Sequence, residues 1–192
     1  MQFTREDAWK LLNEYTKSQS LLKHALAVET SMRAYAEKYG EDVEKWGIVG
    51  LLHDFDYEKY PTPEEHPFKG CEILRTLGYP EDVVHAVLSH AEYSGVARES
   101  LMDKTLFAVD ELSGFVTAVA LVRPSKSVLD VDVKAVKKKL KDKAFAKGVS
   151  RDDVFKGAEE LGVDLDEHIQ FVIRALQGRA DELGLRGMAQ EA

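Results

Sequence analysis

The apolar residues of this 192-residue chain recur every three to four positions, which is the spacing of one face of an α-helix and not of a β-strand. Proline and glycine stand where helices begin and end: Pro67 and Pro80 lie near predicted starts, and Gly78 and Gly162 lie just after predicted ends. The pattern therefore predicts an all-α protein. The predicted helices cover residues 4–16, 19–39, 42–54, 67–77, 80–93, 103–122, 132–147, 151–161 and 165–183, with ends uncertain by about two to four residues.

A loop at residues 123–133 contains a proline and two serines, a composition typical of connections between helices. The sequence before this loop is rich in apolar residues, whereas the sequence after it is charged and amphipathic. These features predict a helical domain over residues 1–122 and a C-terminal helical extension over residues 123–192 that packs on it.

The charge of the chain is unevenly distributed. Lys plus Arg number 26 against 34 Asp plus Glu, so the net charge is −8, which argues against general nucleic-acid binding. Residues 123–147 nevertheless carry nine Lys or Arg and three Asp, a net charge of +6. The centre of this segment, residues 134–147, is either a solvated helix face or a surface that faces a phosphate-bearing ligand.

Three features bear on the compartment. The single cysteine, Cys71, excludes an internal disulfide and is compatible with a reducing environment. The first residues lack the basic and apolar regions of a secretory signal, and the longest nearly uncharged stretch, residues 112–122, is too short to cross a bilayer. The sequence therefore predicts a cytoplasmic protein that makes no contact with a membrane.

The most unusual local feature is an apolar run, residues 46–52, that ends on an adjacent histidine and aspartate, His53 and Asp54. An unpaired carboxylate is costly to bury. The two side chains therefore either meet water or share a compensating partner, and a metal cation is the partner that suits both.

The angular position of each remaining histidine around its predicted helix, its helical phase, indicates whether its side chain points inward or toward solvent. His24 lies within about 60° of the centre of the apolar stripe of its helix and should point inward, although a lone inward histidine is more often a hydrogen-bonded core residue than a ligand. His90 shares the side of Val83 in the fifth helix, whereas His85, five residues earlier, lies about 140° away and is predicted to be a surface residue. His168, at the edge of an apolar stripe, is also predicted to lie on the surface.

Two further residues are candidates. Asp110 occurs in a markedly apolar helix and needs a compensating partner, which could be an arginine, a helix N-terminus or a metal ion. His66 occurs in a loop directly before Pro67, where it either caps a turn or acts as a ligand.

Together these residues form a candidate metal-binding set. Imidazole and carboxylate groups without thiolate suit Fe, Mn, Co, Ni or Zn better than a soft metal. Six such groups exceed what one catalytic ion usually takes, so two ions are implied, and an aspartate has to bridge them because an imidazole ordinarily does not. The set comprises His24, His53, Asp54, His66, His90 and Asp110.

The ordered pattern H24…H53-D54…H66-P-x-x-G70…H90…D110 resembles the HD-domain superfamily of metal-dependent hydrolases, in its HDIG branch, over roughly residues 20–122. The resemblance implies an HD-domain-like helical bundle. It also implies that Asp54 bridges two ions. The first ion would be held by His24, His53, Asp54 and Asp110, and the second by His66 and His90 together with Asp54. The segment from residue 123 to about 169 further resembles the tail of a small group of predicted bacterial HD hydrolases.

The chain departs from the family pattern in two places. Phe55 and Asp56 follow the His-Asp pair where the name of the branch gives Ile-Gly, so Asp56 is an additional acid. The Gly-Tyr-Pro at residues 78–80 precedes His90 and is therefore not the GYP element of cyclic-dinucleotide phosphodiesterases. Lys104, one and a half turns before Asp110, either contacts a substrate phosphate or is a solvated lysine at a helix start.

The expected activity is that of a divalent-metal-dependent phosphohydrolase, a phosphomonoesterase or phosphodiesterase, which uses metal-activated water on a small phosphate ester such as a nucleotide. Asp54 and Lys104 are the predicted catalytic residues. No GxxxxGK[ST] or GxGxxG phosphate loop occurs in the sequence. Two alternatives remain open: a di-iron oxygenase of the same superfamily, and a non-catalytic module that binds metal and ligand.

Overall fold

The structure is a computed structural model and describes residues 3–187. Within this range it contains nine α-helices, two short 3-10 helices and no strand, so the predicted all-α class is confirmed. None of these helices combines the length and the apolar character that crossing a bilayer requires. Residues 1, 2 and 188–192, at the two ends of the predicted domains, lie outside the described residues. The α-helices are α1 (Arg5–Tyr15), α2 (Gln19–Tyr39), α3 (Val43–Leu52), α4 (Phe68–Leu77), α5 (Glu81–His90), α6 (Leu101–Leu121), α7 (Val133–Leu140), α8 (Arg151–Leu161) and α9 (Leu165–Gly178).

Most helix ends lie where local signals predict them, and three do not. The predicted helices at 19–39 and 151–161 coincide with α2 and α8, and each is followed by a glycine in the left-handed conformation, Gly40 and Gly162. The predicted helices at 132–147 and 165–183 are too long, because α7 ends at Leu140 and α9 at Gly178. The predicted helix at 80–93 ends at His90 and is followed by a 3-10 helix at Glu92–Ser94.

A single arginine explains the early end of α7. The guanidinium of Arg151, at the start of α8, donates hydrogen bonds to the carbonyls of Asp142 (3.1 Å), Ala146 (2.7 Å) and Val149 (3.0 Å) and also to that of Phe145. These bonds fold residues 141–149 into a loop. Such an interaction joins residues outside the helix, so the apolar spacing of the helix does not reveal it.

The chain divides into two compact units, one ending at Phe107 and the other beginning at Ala108. This division falls inside α6 and not in the loop after Arg123. The boundary of the functional domains at residue 122 stays a prediction.

In the first unit, the close approach of α2 and α3 determines which residues surround the His-Asp pair. Gly50 makes this approach possible, since a Cβ atom there would lie 2.8 Å from the Cα of Glu29. The carboxylate of Glu29 is fully buried but accepts hydrogen bonds from Arg5 Nε (2.6 Å) and Arg33 Nε (2.9 Å), so its burial is compensated. The approach brings His24 of α2 next to the residue that follows α3.

In the second unit, His168 corrects a prediction. Its side chain is buried, and its Nε2 lies 2.8 Å from the carbonyl oxygen of Ala108, to which it donates a hydrogen bond. The prediction that His168 lies on the surface is therefore wrong. The residue is four positions before Val172, so it points only about 40° away from this buried side chain, and a polar acceptor within the unit satisfies it.

The basic segment of the second unit has partners of its own. Lys137 Nζ lies 2.8 Å from Asp166 Oδ1, and the ammonium of Lys139 lies 4.7 Å from the centre of the Phe145 ring. These contacts fit a solvated helix face. The alternative, a surface that faces a phosphate-bearing ligand, stays untested.

Candidate metal centre

The His-Asp pair lies where α3 ends. His53 follows Leu52 with helical backbone angles, and its side chain is fully buried. Its Nδ1 donates a hydrogen bond to the carbonyl of Gly50 (2.7 Å), which fixes the ring, and its Nε2 lies 3.3 Å from Asp54 Oδ2. At the end of the apolar run, His53 is therefore enclosed, while 24% of the Asp54 side chain is exposed.

His24 reaches the same point from α2. Its Nε2 lies 3.2 Å from His53 Nε2 and 3.8 Å from Asp54 Oδ2. The inward direction predicted for His24 is thus confirmed, since about a fifth of its side chain is exposed.

Two more histidines approach the other oxygen of the same carboxylate. The Nε2 atoms of His66 and His90 each lie 3.1 Å from Asp54 Oδ1, and the donor atoms of these three residues all lie within 4.8 Å of one another. Asp54 Oδ2 therefore faces His24 and His53, while Oδ1 faces His66 and His90. A carboxylate in such surroundings has the arrangement needed to join two cations.

In three of the histidines, the hydrogen bond made by Nδ1, the ring nitrogen that does not face Asp54, indicates that the donor set fits metal ions. Nδ1 of His53 donates to a backbone carbonyl, as does Nδ1 of His90 to Val87, and Nδ1 of His66 donates to Asp56 Oδ1. A neutral imidazole that donates through Nδ1 presents an acceptor lone pair at Nε2. Lone pairs and carboxylate oxygens at about 3 Å repel each other unless a proton or a cation lies between them, and ligating histidines typically donate their other N–H in this way.

Asp56 has a role that sequence reasoning missed. It is fully buried, and its Oδ1 accepts from His66 Nδ1 (2.7 Å) while Oδ2 accepts from the backbone N–H of Gly70 (2.8 Å). A Cβ atom at position 70 would lie 2.7 Å from the carboxylate carbon, so only glycine leaves room for it. The spacing H66-P-x-x-G70 therefore allows His66 and the backbone N–H of Gly70 to donate hydrogen bonds to the two oxygens of the Asp56 carboxylate. The signal in the sequence that could have indicated this role is the position of Asp56 directly after Phe55, an aromatic residue that is buried.

The pKa values agree with a site that stabilises positive charge. Burial would raise the pKa of Asp54, but the charge of His53 and hydrogen bonds from His53, His66 and His90 hold it well below its ordinary value. Burial would lower the pKa of His66, but hydrogen bonds to Asp54 and Asp56 raise it to about 9. Both directions reflect the attraction between anionic carboxylates and the histidines that face them, an attraction that a bound cation also provides.

Replacing Asp56 by asparagine should loosen the hold on His66. We expect the pKa of His66 to fall below about 9, because an anionic partner is lost, and the affinity for metal at His66 and His90 to fall by about 10- to 100-fold. Gly70→Ala should have a similar effect by displacing the carboxylate. Competition with a chromogenic chelator measures the affinity, and Glu65→Gln, in the same loop, is the matched control. Unchanged affinity in both variants would contradict this role for Asp56.

The remaining predicted residues stay predictions. Asp110 lies on α6, three residues beyond the end of the first unit, and is half-buried. Lys104 is the fourth residue of α6 and is also half-buried; its backbone N–H donates to Ser100.

His85 lies at the surface, as predicted, since 34% of its side chain is exposed. The prediction missed its partner: Nδ1 lies 3.0 Å from Asp103 Oδ2, a carboxylate that is 1% exposed. It belongs to neither group of candidate ligands among residues 3–187. The predicted distinction between His85 and His90 as ligands therefore agrees with the geometry of α5.

Comparison with known proteins agrees with these features. The family model of the HD domain matches residues 21–114. The chain carries an HD domain. Members of this family are metal-dependent hydrolases, and the matched range includes His24, His53, Asp54, His66 and His90.

Curated relatives of the HD-domain protein are similar over part of its length. Ribonuclease Y of Nitratidesulfovibrio vulgaris is 33% identical over 79 residues, which are 39% of this chain and 15% of that protein. Ribonuclease Y of Lawsonia intracellularis is 31% identical over 101 residues, 50% of this chain and 19% of that protein. Ribonuclease Y of Pseudothermotoga lettingae is 31% identical over 109 residues, 54% and 20% respectively. The chain thus spans a fifth or less of the length of these relatives, and no solved structure matches it.

Proposed function

We propose that this HD-domain protein is a divalent-metal-dependent phosphohydrolase that acts on a small phosphate ester, specifically a nucleotide. The observation that carries the proposal is the position of Asp54, whose two oxygens face two different pairs of histidines at 3.1–3.8 Å. Two-metal sites with a shared carboxylate are typical of enzymes that cleave phosphate esters.

The proposed ligands follow the two sides of Asp54. His24, His53 and Asp54 would hold one ion together with Asp110. Asp54, His66 and His90 would hold the other. The nitrogen and oxygen donors suit Fe, Mn, Co, Ni or Zn.

The side chains of the chain then have separate roles. Bound divalent ions would supply an activated water and neutralise charge on the phosphoryl group. Asp54 joins the two halves of the site, Asp56 orients His66 through its Nδ1, and the ammonium of Lys104 would attract the substrate phosphate. We assign Asp54 and Lys104 as the catalytic residues.

The size of the substrate is inferred from charge and from the relatives. The relatives are named as ribonucleases, whose substrate contains nucleotides joined by phosphate esters. The net charge of −8 disfavours a long polyanion. A mononucleotide or another small nucleotide satisfies both observations.

An anaerobic screen tests the proposal. The metal-reconstituted protein is incubated with nucleoside monophosphates, a cyclic nucleotide, ribose 5-phosphate and bis-p-nitrophenyl phosphate, each with Mn²⁺, Co²⁺, Ni²⁺, Zn²⁺ or Fe²⁺. We expect hydrolysis that depends on metal and proceeds without oxygen. Turnover only in a parallel aerobic incubation, with consumption of oxygen, would support the di-iron oxygenase instead, and tight nucleotide binding without any turnover would support the non-catalytic module.

A further inference from the structure

Two exposed tyrosines lie beside the candidate metal centre. The side chain of Tyr57 is 41% exposed and that of Tyr93 is 53% exposed. Single exposed aromatic residues are common, but Tyr57 contacts the proposed ligand His66 and Tyr93 follows the proposed ligand His90 by three residues. Neither has a role in the function proposed above.

Tyr57 belongs to the turn that follows the bridging aspartate. Its backbone N–H donates to the carbonyl of Asp54 (3.0 Å). Its ring meets the imidazole of His66 edge to face, with centroids 5.3 Å apart and planes at 83°. The ring is therefore fixed next to a proposed metal ligand while much of its surface stays in contact with solvent.

Tyr93 approaches the same place from the end of α5. It is the central residue of the 3-10 helix Glu92–Ser94, three positions after His90. Burial, the charges of Asp54 and Asp56, and the proximity of Tyr57 raise the pKa of Tyr93 to about 12. The exposed ring of Tyr93 therefore follows directly after the helix that carries His90, close enough to Asp54, Asp56 and Tyr57 for their charges to act on it.

We infer that Tyr57 and Tyr93 bind the base of a nucleotide by stacking while the metal centre holds the phosphate. The inference rests on the proposed function and adds the group that the substrate carries beyond its phosphate. Every nucleobase has an aromatic face that can stack on a tyrosine ring, so the arrangement favours nucleotides as a class and not one base. Stacking also accounts for two large rings that stay exposed on a protein surface.

The test compares two 5′-phosphate esters that differ only in the base, adenosine 5′-monophosphate and ribose 5-phosphate. Tyr57→Ala and Tyr93→Ala should each raise the KM for adenosine 5′-monophosphate by about 5- to 100-fold, with kcat changed by less than about twofold because the metal ligands are untouched. The kinetics with ribose 5-phosphate should stay unchanged. Phenylalanine at either position should restore the KM, because it retains the stacking face.

Tyr60→Ala is the matched control, since it removes a tyrosine of the same loop whose ring contacts the Lys59 ammonium (5.5 Å). Equal changes in KM for both esters, or no change for either, would overturn the role of the tyrosines in binding a base. If the wild-type protein hydrolyses neither of these esters and no other phosphate ester of the anaerobic screen, the proposed function is wrong. Calorimetric titration of the metal-loaded wild type and both alanine variants with the two esters then decides the inference alone. Preferential binding of adenosine 5′-monophosphate that is lost in the variants supports it, and equal binding of the two esters overturns it.

Discussion

Replacing Asp54 by alanine should abolish binding of the metal pair and lower phosphate release by roughly 1,000-fold or more. The physical reason is that both carboxylate oxygens face histidine nitrogens, Oδ1 at 3.1 Å and Oδ2 at 3.3 and 3.8 Å. Among residues 3–187, Asp54 is the side chain that the two groups of candidate ligands share. Metal ions supply several kcal/mol of charge stabilisation in the transition state, and about 1.4 kcal/mol corresponds to a tenfold change in rate.

Metal stoichiometry and phosphate release on the purified variant measure this effect. Asp54→Asn, which keeps the shape of the side chain but removes its charge, should also lose the metal pair. Asp82→Asn is the matched control, because Asp82 pairs with Lys45 at an exposed position. If Asp54 only stabilised the end of α3, its replacement would cost about 1 kcal/mol of stability and leave both ions bound. This result would contradict the bridging role of Asp54 and the two-metal mechanism.

Replacing His90 by alanine should remove the ion held by His66 and His90 and reduce turnover by about 100-fold or more, because a direct ligand is lost. His85→Ala, on the same helix, should keep both ions. It should nevertheless lower the free energy of unfolding by about 1–3 kcal/mol, since it deprives the buried carboxylate of Asp103 of a hydrogen-bond partner. The two variants thus distinguish a histidine that binds metal, His90, from one that stabilises the fold, His85.

Metal content must be the deciding measurement for this pair, because a loss of stability can also reduce activity. Thermal or urea unfolding of both variants, followed together with metal content, gives the comparison. Equal loss of metal from the two proteins would show that the assignment of the two faces of α5 is wrong.

Local signals predicted most of the fold. The bounds of α8 follow from Ser150, whose side chain accepts from the N–H of Asp153, and from Gly162 directly after the helix. The end of α7 could not be predicted in this way. It depends on Arg151, which binds carbonyls up to nine residues earlier in the chain, and helical periodicity carries no information about such contacts.

Helical phase predicted those parts of the candidate site that lie on helices. Phase indicates that His24 and His90 point inward, and the apolar run before His53 indicates that it is enclosed. His66 has no helical phase because it lies in a loop, and only its order in the family pattern identified it. The role of Asp56 depends on Gly70, fourteen residues later. The sequence therefore revealed an additional acid but not the groups that it binds.

His85 and His168 illustrate a limit of helical phase. His85 lies on the polar side of α5 and His168 at the edge of the apolar stripe of α9, and phase alone equates both positions with solvent. His85 instead meets the carboxylate of Asp103, and His168 meets the carbonyl of Ala108, sixty residues earlier. A polar residue can therefore be buried wherever another element supplies a hydrogen-bond partner.

Anomalous diffraction from crystals of the manganese-reconstituted protein tests the central claim most directly. A two-metal centre bridged by Asp54 predicts two anomalous peaks, one on the side of His24 and His53 and one on the side of His66 and His90. Crystals of the His90→Ala variant should retain the first peak and lose the second. No peak beside Asp54 in the wild-type protein after reconstitution would contradict the metal centre, and a single peak bound only by Oδ1 or only by Oδ2 would contradict the bridge.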